Sequence, residues 1–290
     1  MTKAHGVQAE LRLRELATRS AALIGAELVA LFDRIAGLPD KVQWVHQHVA
    51  ADLVGPLDPT LDRACAAVAA AIDAQAPAFD SNPYHNRQHF CEVVLTAHAL
   101  CLLERLDAAP TQFVLLAALV HDFVHDGGSH PAFLQERASI DRVRPLLQSA
   151  GLGPAQVARM MVLVLATDTA QGTAFMAGAC RAHEQGEAFS AVVPSGAPEL
   201  AALVEDAELA ALARILCEAD ILPSIGLTLP HAMRLQQHLS REWRRPLDTQ
   251  DKLAFIEIVL KQGFVGDFFL PNVRAMRDAL ANKSHASDAG

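Results

Sequence analysis

FVLLAALVHDFVHDGG, Phe113 to Gly128, is the stretch around which the rest of the chain is organised. Eight consecutive apolar residues, Phe113 to Val120, run straight into His121-Asp122. A run of that length is too short to cross a bilayer and reads as a buried element. An imidazole and a carboxylate at the end of such an element cost desolvation energy unless a partner compensates them. One compensation is a capped helix end in which the His and Asp are satisfied by the protein. The other is a divalent metal ion, since imidazole nitrogen and carboxylate oxygen are ligands for Zn²⁺, Mn²⁺ and Mg²⁺. If the helix continues, His125 lies at i+4 from His121 and shares its face.

Working outward, Asn82 to His89 reads NPYHNRQH, and here His85 and His89 are again at i and i+4. Ser81 or Asn82 can cap a helix starting near Tyr84. A lone pair of histidines at this spacing is usually a surface feature. Two such pairs in one chain, one of them joined to an aspartate, weigh towards a metal site. Asp220 in ILCEADILP lies far downstream inside an apolar stretch, where an unpaired carboxylate is costly.

The 290 residues are 51% hydrophobic, enough for a sizeable core. Aromatics are sparse and alanine and leucine abundant, which favours close-packed helices. The net charge of -9 argues against nucleic acid or an anionic membrane as a general partner. Cys65, Cys91, Cys101, Cys180 and Cys217 are odd in number and form no CxxC pair, so a reducing, cytoplasmic setting is expected. The N-terminus carries no secretory h-region, and no segment has the apolar length of a membrane span.

Helical periodicity and turn residues predict helices over 10–35, 59–72, 84–106, 110–126, 132–150, 154–167, 199–222, 229–244 and 249–269. Ala182 to Pro198 is expected to be a loop, Pro223 and Pro271 to end or interrupt helices, and residues 282–290 to be a disordered tail. No alternating strand pattern, repeat or long linker occurs. The expectation is an all-α, compact multi-helix chain. Residues 1–80 form a helical extension packed on a catalytic domain at 81–281.

The order H…HD…D resembles the HD superfamily of metal-dependent phosphohydrolases. Within it, the likeness is nearest to the catalytic domain of class I cyclic nucleotide phosphodiesterases, as a divergent, bacterial-type member. NPYHNRQH resembles that family's YHNxxH signature and LAALVHDFVHDGG its HDxxHxG signature. VLATDT, EADI and QGFVGDFFLP resemble three further segments, in family order, over about Asn82 to Pro271. The resemblance implies that His89, His121, Asp122 and Asp220 hold a first metal, typically Zn²⁺. Asp122 would bridge to a second, Mg²⁺ or Mn²⁺, whose waters His125, Glu136 and Thr167 orient. His85 falls at the position of the general acid, and Glu242 matches the carboxylate that orients it. Phe264 falls on the aromatic that stacks on the purine, with Phe255 as its rival. Lys261 stands where the family has a purine-gripping glutamine, and Gln262 is one position out of register. Lysine has no acceptor, so weak discrimination between adenine and guanine is expected.

The function implied is hydrolysis of a 3',5'-cyclic nucleotide or related small phosphodiester. A water shared by two metals would be the nucleophile and His85 would protonate the leaving alkoxide. The alternatives are a monoester-cleaving member of the superfamily and a non-catalytic metal- or ligand-binding module. The absence of an HD-GYP signature argues against cyclic dinucleotides. The oligomeric state is left open.

Overall fold

A computed structural model describes residues 19–53, 55–128 and 130–288. Among these residues there are fourteen α-helices and no strand, so the all-α expectation holds. In chain order they are α1 (Ala21–Ile35), α2 (Lys41–Asp52), α3 (Pro59–Ala74), α4 (Ala76–Phe79), α5 (Arg87–Leu103), α6 (Ala108–Val120) and α7 (Leu134–Ala150). They continue with α8 (Pro154–Ala166), α9 (Gly172–Gln185), α10 (Ala202–Glu205), α11 (Ala207–Ile225), α12 (Leu229–Glu242), α13 (Thr249–Gln262) and α14 (Leu270–Asp288). The part of the first expected helix that precedes Arg19 lies outside the described residues.

Three helices make the centre. Every residue of α6 from Thr111 to Val120 is buried, and α5 and α11 are buried on nearly all faces. A helix with no polar face has to be enclosed by others. Here α5 packs on both α11 and α6, while α2 covers α5 and α3 covers α6. Leu28, Leu31, Val45 and Val68 from the first helices share one apolar cluster with Val94, Val120 and Leu216. The five cysteines are free and buried.

Several polar residues inside this core are paired, as burial favours. Glu92 of α5 meets His231 of α12 at 3.1 Å. His98 meets Asp52 at 3.0 Å. Arg87, the first residue of α5, binds Asp73 of α3 at 3.1 Å and Asp80 at 2.6 Å, and donates to the Pro39 carbonyl at 2.6 Å. These bonds fix the start of α5, and with it His89, against the preceding helices.

Several boundaries differ from the sequence reading. Helix α5 starts at Arg87 because the Asn86 side chain accepts from the N–H groups of Gln88 and His89. Helix α6 ends at Val120, so His121 to Val124 form turns and the i+4 argument for His125 does not apply. The 199–222 region breaks at Asp206, whose side chain caps α11 by accepting from Leu209. Pro223 sits inside α11, which runs on to Ile225. Gly263, with φ +71°, ends α13, and Pro271 opens α14 in its first turn, where a missing N–H costs nothing. Helix α14 continues to Asp288 rather than giving way at Asn282, because no glycine or proline interrupts that segment.

Candidate metal centre and active-site cavity

His89 projects from the first turn of α5, His121 caps the C-terminus of α6, Asp122 follows it, and Asp220 lies in the C-terminal half of α11. The three central helices therefore converge on one point. The Nε2 atoms of His89 and His121 are 3.3 Å apart. Asp122 Oδ2 lies 3.1 Å from His89 Nε2 and 3.2 Å from His121 Nε2. Asp220 Oδ1 lies 3.2 and 3.6 Å from the same two atoms. A tetrahedral ion with bonds of about 2.0–2.1 Å sets its ligand atoms about 3.3 Å apart. The five distances above are close to such edges, and the group whose ligand atoms all lie within 4.8 Å of one another is His89, His121 and Asp220, with Asp122 placed beside both imidazoles. His121 Nδ1 donates to the Ala118 carbonyl at 2.8 Å, which leaves the Nε2 lone pair facing the cluster.

The electrostatics agree with a cation-shaped site. Burial alone would depress His89, but Asp122 and Asp220 outweigh it and push the imidazole up to about 9. His121 is raised by the same carboxylates against its burial. Asp122 and Asp220 are half-buried, and although desolvation would raise them the imidazoles hold both well below the usual carboxylate range. Four ionisable groups held this closely are a coupled set whose proton a divalent ion can replace.

Asp122 and Asp220 also line a cavity of about 610 Å³. Glu136, Thr167 and Asp168 line it beside them. These are oxygen donors, the chemistry suited to a harder second ion such as Mg²⁺ or Mn²⁺. Glu136, in the first turn of α7, is pushed up to about 7 by burial and by neighbouring Asp168 and Asp122. The Thr167 hydroxyl donates to the Val164 carbonyl at 2.7 Å. Asp168, unremarked in the sequence, accepts from the N–H groups of Phe133, Gln171 and Gly172 at 3.1, 2.7 and 3.3 Å. It thereby secures the left-handed Phe133 that precedes α7 and places Glu136.

His85 lies just before α5, at the cavity wall. Its Nδ1 bonds Glu242 Oε1, at the last residue of α12. Glu242 Oε2 accepts from the N–H groups of Tyr84 and His85 at 2.8 and 2.9 Å. Burial would raise the Glu242 carboxyl, but these partners, His85 foremost, hold it below its ordinary value. His125 stacks on His85 with ring centroids 3.5 Å apart, and Gly127 N–H donates to its Nδ1 at 3.0 Å. Burial depresses His125 to about 4, so it is neutral at physiological pH. Asn82 does not cap α5. Its amide donates to the carbonyls of His85 and His125, at 3.2 and 3.0 Å, and ties the two loops together.

The stacking assignment requires correction. Phe264 is 2% exposed within the apolar core and does not line the cavity. Phe255 does. Helix α13 turns Asp251, Lys252, Phe255 and Ile258 towards the cavity, whereas Lys261, in its last turn, is exposed and does not line it. Gln262 is off the cavity too, its carbonyl accepting from Arg181. The sequence offered Phe255 only as a rival and did not single out Lys252, Gln236 or Trp243, which also line the cavity.

Known structures of similar shape are phosphodiesterase domains. The phosphodiesterase domain of the RhoPDE fusion protein from the choanoflagellate Salpingoeca rosetta is 18% identical, with a TM-score of 0.60 over 96% of this chain and all of that one. The phosphodiesterase domain of Salpingoeca rosetta rhodopsin phosphodiesterase matches at the same identity and TM-score, over 98% of each chain. LmjPDEB1 in complex with IBMX is 14% identical, with a TM-score of 0.61 over 95% of this chain and 98% of that one. At these identities the likeness is one of fold. No protein-family model and no curated protein sequence matches the chain.

Proposed function

We propose that this chain is a metal-dependent phosphodiesterase acting on a 3',5'-cyclic nucleotide or a related small phosphodiester. The observation that carries the reading is the joint placement of two groups on one cavity. One is the cluster of His89, His121, Asp122 and Asp220, the expected Zn²⁺ site, whose two carboxylates line the cavity. The other is the His85–Glu242 pair. A fold shared with phosphodiesterase domains supports it.

Divalent ions held there would supply positive charge to the phosphoryl oxygens and a water acidic enough to attack phosphorus near neutral pH. The chain supplies the rest. Glu242 holds His85 by Nδ1, so Nε2 is the atom free to give a proton to the departing ester oxygen as its bond to phosphorus breaks. Neutral His125 backs the His85 ring without adding a competing charge. Glu136 and Thr167 line the same cavity with polar oxygens that can orient water. The net charge of -9 does not oppose an anionic substrate, because the field at the phosphate is set locally.

The test is metal analysis of the purified protein together with hydrolysis of cyclic mononucleotides, bis(p-nitrophenyl) phosphate and phosphomonoesters. Bound divalent metal with diester cleavage is expected, and alanine at His89, His121, Asp122 or Asp220 should remove most of both. Cleavage of monoesters alone, or metal without hydrolysis, would overturn the proposal.

A further inference from the structure

The cavity has a buried positive charge that neither the metal cluster nor the His85–Glu242 pair uses. Lys252, in the first turn of α13, is 7% exposed and lines the cavity. Its Nζ donates to the Ser224 carbonyl at 2.9 Å, and that bond fixes where the ammonium stands. Ser224 lies four residues after Asp220 on α11, and both line the cavity. Four residues of α-helix rise about 6 Å. The ammonium is therefore held one helical turn along α11 from a residue of the metal cluster, on the same cavity.

The Ser224 carbonyl belongs to the last turn of α11, whose negative end offsets part of the charge. Lys41 uses the same device on the Ala36 carbonyl at the end of α1, but it stands away from this cavity. An ammonium has three donors, and Ser224 takes one of them. Among the described residues no carboxylate pairs with Lys252. Its neighbour Asp251 lines the cavity too but is already engaged. One oxygen binds Arg245 at 2.8 Å and the other accepts from the Asp248 N–H at 2.9 Å. Arg245, exposed on the same cavity, is neutralised by that contact, whereas Lys252 is not. Asp122 and Asp220 face the two imidazoles. A buried ammonium with spare donors gains most from a charged acceptor, because charge-assisted hydrogen bonds are about twice as strong as neutral ones. We infer that the substrate carries a second anionic group, a carboxylate or a phosphate, beside the scissile phosphodiester, and that Lys252 binds it. This inference rests on the phosphodiesterase proposal for the scissile end and adds a charge requirement at the other.

The experiment uses p-nitrophenyl phosphodiesters of the full-length chain's own choosing between three second ester groups: 3-carboxypropyl, its methyl ester, and butyl. The leaving group is the same in all, so the differences report the pendant group. The carboxylate should exceed the methyl ester in kcat/KM by about tenfold, mainly through KM, the scale of one hydrogen bond to a charged group. Lys252→Met should bring that ratio to about one, and Lys252→Arg should keep most of it, with circular dichroism verifying the fold of each variant. A methyl ester as good as the carboxylate, a butyl ester better than either, or a preference that survives Lys252→Met would overturn the inference. A fourth ester ending in a phosphate ranks the two anions, and either order supports the inference if it depends on Lys252. Binding of the product monoesters, 3-carboxypropyl phosphate and butyl phosphate, is measured by calorimetry and needs no turnover. A Lys252-dependent preference for the carboxylated monoester without hydrolysis of any diester would sink the phosphodiesterase reading alone. Hydrolysis of the diesters with no preference for charge would sink the second-anion inference alone.

Discussion

His85 and Lys252 show how far single residues can be argued. His85 keeps one ring nitrogen on Glu242 and stacks on His125, so its other nitrogen is committed to the cavity. His85→Ala should leave bound metal unchanged and lower turnover of a cyclic nucleotide by about 10²–10⁴-fold, the range for one general acid. The loss should be much smaller for bis(p-nitrophenyl) phosphate, whose leaving group needs no proton. Equal losses on both substrates would remove His85 from that role. Lys252 has no carboxylate to offset its burial, which depresses it from 10.5 to about 8. A lysine so depressed costs the folded state roughly 3 kcal/mol while both states are protonated. That cost is complete below about pH 8, falls as pH rises towards the unfolded value, and is gone above it. Lys252→Met should therefore stabilise the protein at pH 7, by about 1–2 kcal/mol once the lost bond to Ser224 is deducted. By pH 10 the gain should have nearly vanished. A denaturant series across this range reads it, and a gain independent of pH would refute the electrostatic cause.

At the scale of elements, the loop after α6 does the positioning. Gly127 has φ +78°, and a Cβ there would stand 2.7 Å from Glu242 Cγ. The loop can pass over Glu242 only without a side chain. Gly127→Ala should cost about 1–2 kcal/mol from the left-handed backbone alone, and more from the clash. Because the displaced group orients His85, turnover of cyclic nucleotides should fall further than turnover of the p-nitrophenyl ester. A purely thermal effect with unchanged substrate ratios would show that Glu242 moves aside freely. This loop also marks where sequence reading stops. His121-Asp122 was legible because an apolar run ends on two polar residues. The role of His125 was sought on a helix face, whereas it arises from a loop that stacks the ring on His85. The cavity wall on α13 was less legible still. Which side of an amphipathic helix turns inward depends on its neighbours, so local spacing could not separate Phe255 from Phe264. Lys252 was not singled out at all, since nothing local signals that its helix is rotated to bury it.

On the scale of the molecule, the helical class was readable from composition and periodicity, but the particular pairings that join the first helices to the later ones were not. Leu28 and Val68 pack in the same cluster as Val120 and Leu216, and Arg87 bonds to Pro39, Asp73 and Asp80. Such long-range pairings leave no trace in hydrophobic spacing. No described helix is long and apolar enough to cross a membrane.

The convergence of α5, α6 and α11 has a kinetic corollary. His89 and His121 come from consecutive helices joined only by Glu104 to Asp107, but Asp220 joins them only when the distant α11 docks, which closes a long loop at an entropic cost. A cation that needs all of them is captured after the main barrier has been crossed. Its binding energy then belongs to the finished protein and not to the route that leads there. Stopped-flow experiments with and without chelator should find refolding rates nearly equal, while chelation speeds unfolding by most of the factor lost in stability. Slower refolding on metal removal would mean that the three helices already assemble around the ion at the crest of the barrier.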